Sequence, residues 1–283
     1  MLNAKLALAT QPDCQTTVKL SERVAFGGSD LVIIAGPCAV ESRSQMETVA
    51  TQLQRAPVQA LRGGVYKPRS SPYAFQGLGL AGLQILAEMR SRYNIPVVTE
   101  VMAIGQIETI AAHADMLQVG SRNMQNFDLL KALGQANKPI LLKRGLAATI
   151  EEFIMAAEYI LSHGNSQVVL CERGIRSFDN YTRNVLDLGA VAALKQLTHL
   201  PVIVDPSHAV GKWELVAPLA KAAVASGADG LIIECHPEPE KSVSDARQAL
   251  SLDAMVDLVR TLQPVAAAVG RRIHSIQSLA IAS

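Results

Sequence analysis

Eight short runs rich in Val, Ile and Leu recur along the chain, each followed by a helix-like segment, and this alternation limits the possible folds more than any other feature. The runs are LVIIAG (31–36), ALRGGVY (60–66), PVVTEV (96–101), MLQVGS (116–121), PILLKRG (139–145), QVVLCERG (167–174), PVIVDPS (201–207) and GLIIECH (230–236). Their near-continuous apolarity suits strands of a parallel sheet covered by helices, where no strand face meets water. Between them lie amphipathic stretches such as QMETVATQLQRA, LAGLQILAEMRSRY, AIGQIETIAAHA, TIEEFIMAAEYILSHG and WELVAPLAKAAVASGA. Several end in Gly or Asn, a helix stop signal. Units of this kind, roughly 20 to 36 residues apart, predict an α/β fold of the (β/α)8 TIM-barrel type. A doubly wound open sheet is the rival, but it would place a Gly-rich dinucleotide turn after the first strand, and none follows LVIIAG.

The barrel is expected over residues 31–283 as a single catalytic domain. Residues 1–30 are too few for a regulatory domain. Within them, TTVKLSERVAFGGSD alternates polar and apolar positions around a Gly-Gly, which predicts a β-hairpin covering the bottom of the barrel. The segment VAAAVGRRIHSIQSLAIAS is expected to finish the last helix and to contact a neighbouring subunit, in a homo-oligomer of two or four chains.

With 283 residues, 49% of them hydrophobic and 18% charged, the chain can bury a large core. Its formal net charge of +1 supplies no global field for nucleic acid or an anionic membrane. Nucleic-acid motifs are absent, and no apolar run approaches the ~18 residues of a membrane span. The N-terminus lacks the charged and apolar regions of a secretory signal, so a cytoplasmic protein is expected. Cysteines at 14, 38, 171 and 235 show no paired spacing, which fits reduced thiols.

In such a barrel the chemistry sits at the C-terminal strand ends. Read in order, those ends carry Cys38; Arg62 with Lys67 and Arg69; Glu100; Arg122; Lys143 with Arg144; Arg173; Asp205 with His208; and Glu234 with His236. A single Arg there would be an ordinary surface ion pair. Four strands delivering Arg or Lys to one rim predict a strongly anionic ligand, with phosphate or carboxylate groups suited to the guanidinium fork.

Cys38, after Gly36-Pro37, could be a small buried hydrophobe. It could also join His208, Glu234 and Asp245 around one divalent cation, and a mixture of thiolate, imidazole and carboxylates suits Mn, Fe, Co or Zn better than Mg or Ca. His208 and Asp245 have a plainer reading as helix caps. A cysteine nucleophile and a Schiff-base lysine at Lys67 or Lys143 remain open at this level, although each lysine has an arginine close by in the sequence and so also suits anion clamping.

The set GPCAVES, LRGGVYKPRSSPYAFQGLG, GSRN, LLKRG, CERGIRS, DPSHAVG and IIECHPEPEKSVSD resembles the 3-deoxy-D-arabino-heptulosonate-7-phosphate (DAHP) synthase family, in its short form. That branch is similar to the 3-deoxy-D-manno-octulosonate-8-phosphate synthases. The resemblance runs from about residue 20 to residue 262. Lys67-Pro68-Arg69-Ser70 follows the heptulosonate pattern rather than the Lys-Ala-Asn-Arg-Ser-Ser of the octulosonate enzymes, with Ser70 where Thr is more usual.

The resemblance implies a metal-dependent condensation of phosphoenolpyruvate with erythrose 4-phosphate, the first step of the shikimate pathway. It places the metal ligands on Cys38, His208, Glu234 and Asp245. Phosphoenolpyruvate would be held by Arg62, Lys67, Arg122, Lys143 and Arg173, and erythrose 4-phosphate by Arg69 and Ser70, with Asp205 near the sugar hydroxyls. Lys67 is the candidate for proton delivery beside the catalytic Cys38 and His208. An octulosonate synthase using arabinose 5-phosphate and a non-catalytic barrel that binds phosphorylated metabolites are the alternatives.

Overall fold

The computed structural model describes residues 3–10, 14–69 and 71–275. In chain order its elements are β1 (Val18–Ser21), β2 (Val24–Phe26), β3 (Val32–Gly36), α1 (Arg43–Leu53), β4 (Ala60–Arg62), α2 (Leu80–Tyr93), β5 (Val97–Val101), α3 (Ile107–His113), β6 (Met116–Val119) and α4 (Phe127–Leu133). There follow β7 (Ile140–Lys143), α5 (Ile150–Ser162), β8 (Val168–Glu172), α6 (Leu188–Leu197), β9 (Val202–Val204), α7 (Pro206–Val210), α8 (Trp213–Ala225), β10 (Gly230–His236), β11 (Leu250–Ser251) and α9 (Leu252–Ala268).

Strands β3 to β10 pair in sequence order, all parallel, and β10 returns to β3 with Gly230 opposite Val32 and Glu234 opposite Gly36. That last pairing closes the sheet into the expected (β/α)8 barrel. All eight apolar runs supply its strands, but several strands are shorter than the runs. Gly63-Gly64 leaves the sheet after Arg62, and Asp205-Pro206 starts a helix after Val204.

Strand alternation sorts the core into two layers. Ile33, Leu61, Val97, Leu117, Leu142, Leu170, Val204 and Ile233 pack outward against the helices. Val32, Ile34, Ala60, Val98, Met116, Leu141, Val169, Ile203 and Ile232 point into the barrel. The inner layer continues into Val18, Leu20, Val24 and Phe26 of the β1–β2 hairpin, which therefore plugs the N-terminal end. The hairpin turns at Glu22-Arg23, not at the Gly-Gly pair. Gly27 follows β2 with φ 87°, bending the chain towards β3 where a Cβ would strike the Thr16 carbonyl.

No helix among the described residues is long and apolar enough to cross a membrane. The helix predicted near the C-terminus is α9, while the segment 276–283 expected at a subunit contact lies outside the described residues.

Candidate active site

Extending the inward register by two residues per step takes each strand from apolar side chains to chemistry. Beyond Ala60 comes Arg62, beyond Val98 Glu100, beyond Met116 Gln118, beyond Leu141 Lys143, beyond Ile203 Asp205 and beyond Ile232 Glu234. Beyond Val169, Cys171 belongs to the inner core and Arg173 to the rim. The outward partners do not join them. Arg144 turns away from the mouth to bind the buried Glu172 at 2.9 Å and the partly exposed Asp187 at 3.0 Å, which fastens both ends of the 173–187 loop.

Cys38 reaches the mouth because the chain breaks at Gly36. There φ is 149°, and a Cβ would run into the Arg62 carbonyl of the neighbouring strand. Pro37 then turns the chain inward, and Cys38 is 1% exposed. Its Sγ lies 3.2 Å from Asp245 Oδ2, 3.0 Å from Lys67 Nζ and 3.0 Å from Ser244 Oγ. Lys67 Nζ also donates to the Cys38 carbonyl at 2.9 Å.

His208 stands on α7, whose N-cap is Asp205; the Asp205 carboxylate accepts from the His208 backbone N–H at 2.9 Å. The cap is thus the aspartate, and the imidazole is left for other work. Its Nδ1 lies 2.8 Å from Asp205 Oδ2, and its Nε2 lies 3.3 Å from Glu234 Oε2 and 3.9 Å from Asp245 Oδ2. A carboxylate this close to one ring nitrogen is the kind of outer partner that would orient the other towards a cation. Asp245 adopts φ 55°, a left-handed conformation that Asp tolerates better than most side chains, and it caps nothing through its side chain.

One ligand atom from each of Cys38, His208, Glu234 and Asp245 lies within 4.8 Å of the others. Burial, aided by the Glu234 charge and opposed by Lys67, pushes the Cys38 thiol up to about 11. Burial raises Glu234 to about 7 against the pull of Arg62. It also drives the His208 imidazole down to about 3 despite Asp205, which keeps the ring neutral. Burial alone would raise Asp245, but His208 and Arg183 hold it at about 2. A neutral imidazole, an ionised aspartate and two groups whose protons a cation would displace fit a divalent metal. The buried Glu234 Oε1, without a hydrogen-bond partner among the described residues, points the same way.

Beside this cluster opens a cleft of about 360 Å³. Arg62, Lys67, Arg69, Arg122, Lys143, Arg173, Arg176 and Arg183 line it, with Glu100 and Asp245 as its acids. Arg62 Nη1, Arg69 Nη2 and Arg173 Nη1 are buried without partners among the described residues. Leaving such donors unmade costs about 1–3 kcal/mol each, so the site is arranged for an anion that completes them. Arg173 also donates through Nη2 to the His208 carbonyl at 3.0 Å, joining the cleft to α7.

The expected residues divide accordingly. The four candidate donors converge, and the six Arg and Lys residues line one cleft. Asp205 is fully buried, engaged by His208 and by an ion pair with Lys143, and is not among the residues lining the cleft. Ser70 lies outside the described residues. His236 is buried 3.4 Å from Glu41 and does not line the cleft, whereas Glu100 does, accepting from Gln118 at 3.4 Å. A Cβ on Gly120 would meet the Glu100 carboxylate, so a larger residue opening GSRN would require that side chain to move. Arg176, Arg183 and Gln248 were not singled out from sequence. Arg176 lies within CERGIRS, a motif that was read only through Arg173, while Arg183 sits in an irregular loop without periodic signal.

A sequence profile described as the DAHP synthetase I family matches residues 15–270. The chain belongs to that family. It is 48% identical over 259 residues to a phospho-2-dehydro-3-deoxyheptonate aldolase of Thermotoga maritima, covering 92% of this chain and 76% of that one. A 2-dehydro-3-deoxyphosphooctonate aldolase of Syntrophotalea carbinolica is 33% identical over 272 residues, covering 89% and 97% of the two chains. The crystal structure of the T. maritima DAHP synthase superposes with a TM-score of 0.92 at 46% identity, covering 97% of this chain and 80% of that chain. A truncated form of the T. maritima enzyme gives 0.88 at 43% identity, with coverages of 95% and 98%. As a DAHP synthetase I family member with all four donors in place, the chain has the machinery of an enzyme.

Proposed function

We propose that this DAHP synthase condenses phosphoenolpyruvate with erythrose 4-phosphate at the cationic cleft, using one divalent ion held by Cys38, His208, Glu234 and Asp245. The observation that carries this reading is the contact of the two halves: a four-donor cluster opens directly onto a cleft whose buried guanidinium donors await anions. C3 of phosphoenolpyruvate bonds to the aldehyde carbon, water adds at C2, and phosphate leaves with C–O cleavage.

Two multiply charged substrates repel one another, and the ring of Arg and Lys offsets that repulsion while holding the carbons close. Arg62, Lys67, Arg122, Lys143 and Arg173 serve phosphoenolpyruvate, and Arg69 with Ser70 serves the aldehyde substrate. The half-buried Arg69 supports that assignment: its Nε is spent on the Phe75 carbonyl at 3.1 Å while Nη2 stays free. When bound, the ion supplies a Lewis acid for the aldehyde oxygen. Lys67, with Nζ against Sγ of Cys38, holds a proton where charge develops on that oxygen and delivers it there. Asp205 orients His208 and neutralises Lys143 rather than touching the sugar. The mixed donor set favours Mn, Fe, Co or Zn over Mg.

A homo-oligomer, dimer or tetramer, in the cytoplasm completes the proposal; light scattering and cell fractionation test it. The decisive experiment measures phosphate release with erythrose 4-phosphate and with arabinose 5-phosphate, with and without chelator. Preference for erythrose 4-phosphate that chelator abolishes is expected. Preference for arabinose 5-phosphate would transfer the chain to the octulosonate reaction. Phosphoenolpyruvate binding without phosphate release would make it a silent barrel, although all four donors are present.

A further inference from the structure

Glu234 is restrained through one oxygen. Its Oε2 accepts from Gln248 Nε2 at 2.8 Å, while Oε1 has no partner among the described residues. Gln248 is 2% exposed, and a buried primary amide can in principle face either way. Its direction is imposed by Arg183, whose Nη1 donates to Gln248 Oε1 at 3.1 Å and to Asp245 Oδ1 at 3.2 Å. A guanidinium has donors and no acceptor, so the amide must show its oxygen to Arg183 and its NH2 to Glu234. One guanidinium therefore fixes two carboxylates of the cluster, Asp245 directly and Glu234 through an amide.

Arg183 belongs to the 173–187 loop and also lines the anion cleft. Its backbone N–H donates to the Val210 carbonyl at 3.0 Å, and the next residue, Asn184, donates through its side chain to the His208 carbonyl at 3.2 Å. The loop is thus pinned to α7 at the level of the imidazole, which gives Arg183 a fixed base from which to hold the carboxylates.

Resting on the metal reading above, we propose that Gln248 and Arg183 are positioning residues of the metal centre: they hold Glu234 and Asp245 in fixed directions and thereby set the affinity for the divalent ion. Without the amide, Glu234 is free to turn its carboxylate towards other donors, Arg62 among those whose charge acts on it. Outer partners of this kind typically account for about 10–100-fold in metal affinity.

The test titrates the full chain with Mn(II) alone and follows free and bound ion by electron paramagnetic resonance. Gln248→Met keeps the volume and removes both hydrogen bonds. It is expected to weaken Mn(II) binding about 10–100-fold and to alter the bound-ion spectrum, a change that looser packing would not produce. Arg183→Met is expected to weaken binding too, and the double variant to lose less than the product of the two, because the part of the Arg183 effect that reaches Glu234 passes through the same amide. Wild-type affinity and an unchanged spectrum in both variants would overturn the proposal, as would strictly multiplicative losses. Should Gln248→Met fail to fold, Arg183→Met carries the test, since its side chain is 38% exposed. If the wild-type chain binds no Mn(II), the metal reading itself falls and this inference with it; binding by wild type with no effect of either variant overturns the inference alone.

Discussion

At the N-terminal end of the barrel, Val18, Leu20, Val24 and Phe26 of the hairpin pack with inward-facing Val32, Ala60 and Met116 in one buried apolar cluster. At the C-terminal end the same inward register carries Arg62, Gln118 and Lys143, which line a polar cleft, and the buried Glu234. The two ends differ by only two or four residues along each strand. A barrel thus separates stability from chemistry by height alone, because alternation keeps sending side chains inward whatever their type. Perturbations at the bottom are then expected to change folding and spare the metal, and those at the top to do the reverse.

The largest effect is expected at the top. Cys38→Ser replaces the one soft donor and is expected to lose more than the about 100-fold in metal affinity that an outer partner accounts for. Turnover should fall to background, while the melting temperature of the metal-free chain changes little. Metal content after dialysis and phosphate release check this. Full activity with stoichiometric metal would remove Cys38 from the ligand set.

Its mirror lies at the bottom. Phe26 is fully buried, and Phe26→Ala is expected to cost about 3–5 kcal/mol of stability. Mn(II) affinity should stay at the wild-type value. A matching loss of affinity would show that the hairpin reaches the mouth and would break the separation of the two ends.

Glu234 sharpens the contrast, because at the top a change can stabilise the fold and destroy function. In the metal-free chain its carboxyl is raised by burial from 4.5 to about 7, so the folded state holds the proton more tightly than the unfolded state does. Its contribution is complete below about pH 4.5 and is lost as pH rises through about 7. At about 1.4 kcal/mol per pH unit this amounts to about 3 kcal/mol. Glu234→Gln should therefore raise the metal-free stability by up to that amount at pH 8, have little effect at pH 4, and abolish metal binding. Denaturant unfolding at both pH values checks the sign; destabilisation at pH 8 would refute it. Calorimetry in buffers of different ionisation enthalpy should also show protons released as metal displaces them from Cys38 and Glu234.

A smaller effect is expected at the outer part of the cleft. Removing the charge-assisted contacts of Arg69 by Arg69→Ala should raise KM for erythrose 4-phosphate about 10–100-fold, from about 1.5–3 kcal/mol of lost binding, and leave KM for phosphoenolpyruvate near its wild-type value. An equal rise in both would place Arg69 in the phosphoenolpyruvate site.

Much of this division can be read from the chain, and the parts that cannot have a physical cause. The eight apolar runs marked the strands because burial on both faces demands them, and the polar or charged residue at or just beyond the end of most runs marked the rim. The hairpin was visible in its alternation, but its turn was misplaced to the glycines, since two-residue connections are also made by Glu22-Arg23. Asp205 looked like a cleft residue because it ends a strand. Only the helix that starts at Pro206 shows that it is spent on a cap, an imidazole and a lysine. Arg183 and Gln248 stand 65 residues apart in an irregular loop and a short turn, and no local pattern brings such residues together.

The smallest effect compares the two non-glycine residues held at positive φ among those described, one at each end. Asn94, with φ 48°, follows α2 at the bottom and donates its backbone N–H to the Arg90 carbonyl, as a left-handed helix cap does. Asp245, with φ 55°, stands at the top in the four-donor cluster. Glycine fits both backbones without a Cβ penalty, so conformation alone would make both replacements mild. Asn94→Gly is accordingly expected to shift stability by less than about 1 kcal/mol, in the stabilising direction, with kcat and Mn(II) affinity unchanged. Asp245→Gly fits its backbone equally well and should still fail, because it removes one of the four proposed donors and releases Arg183. If Asn94→Gly lowered activity, the bottom of the barrel would be coupled to the mouth by a route that neither the strands nor the hairpin reveals; if Asp245→Gly retained metal, three donors would suffice.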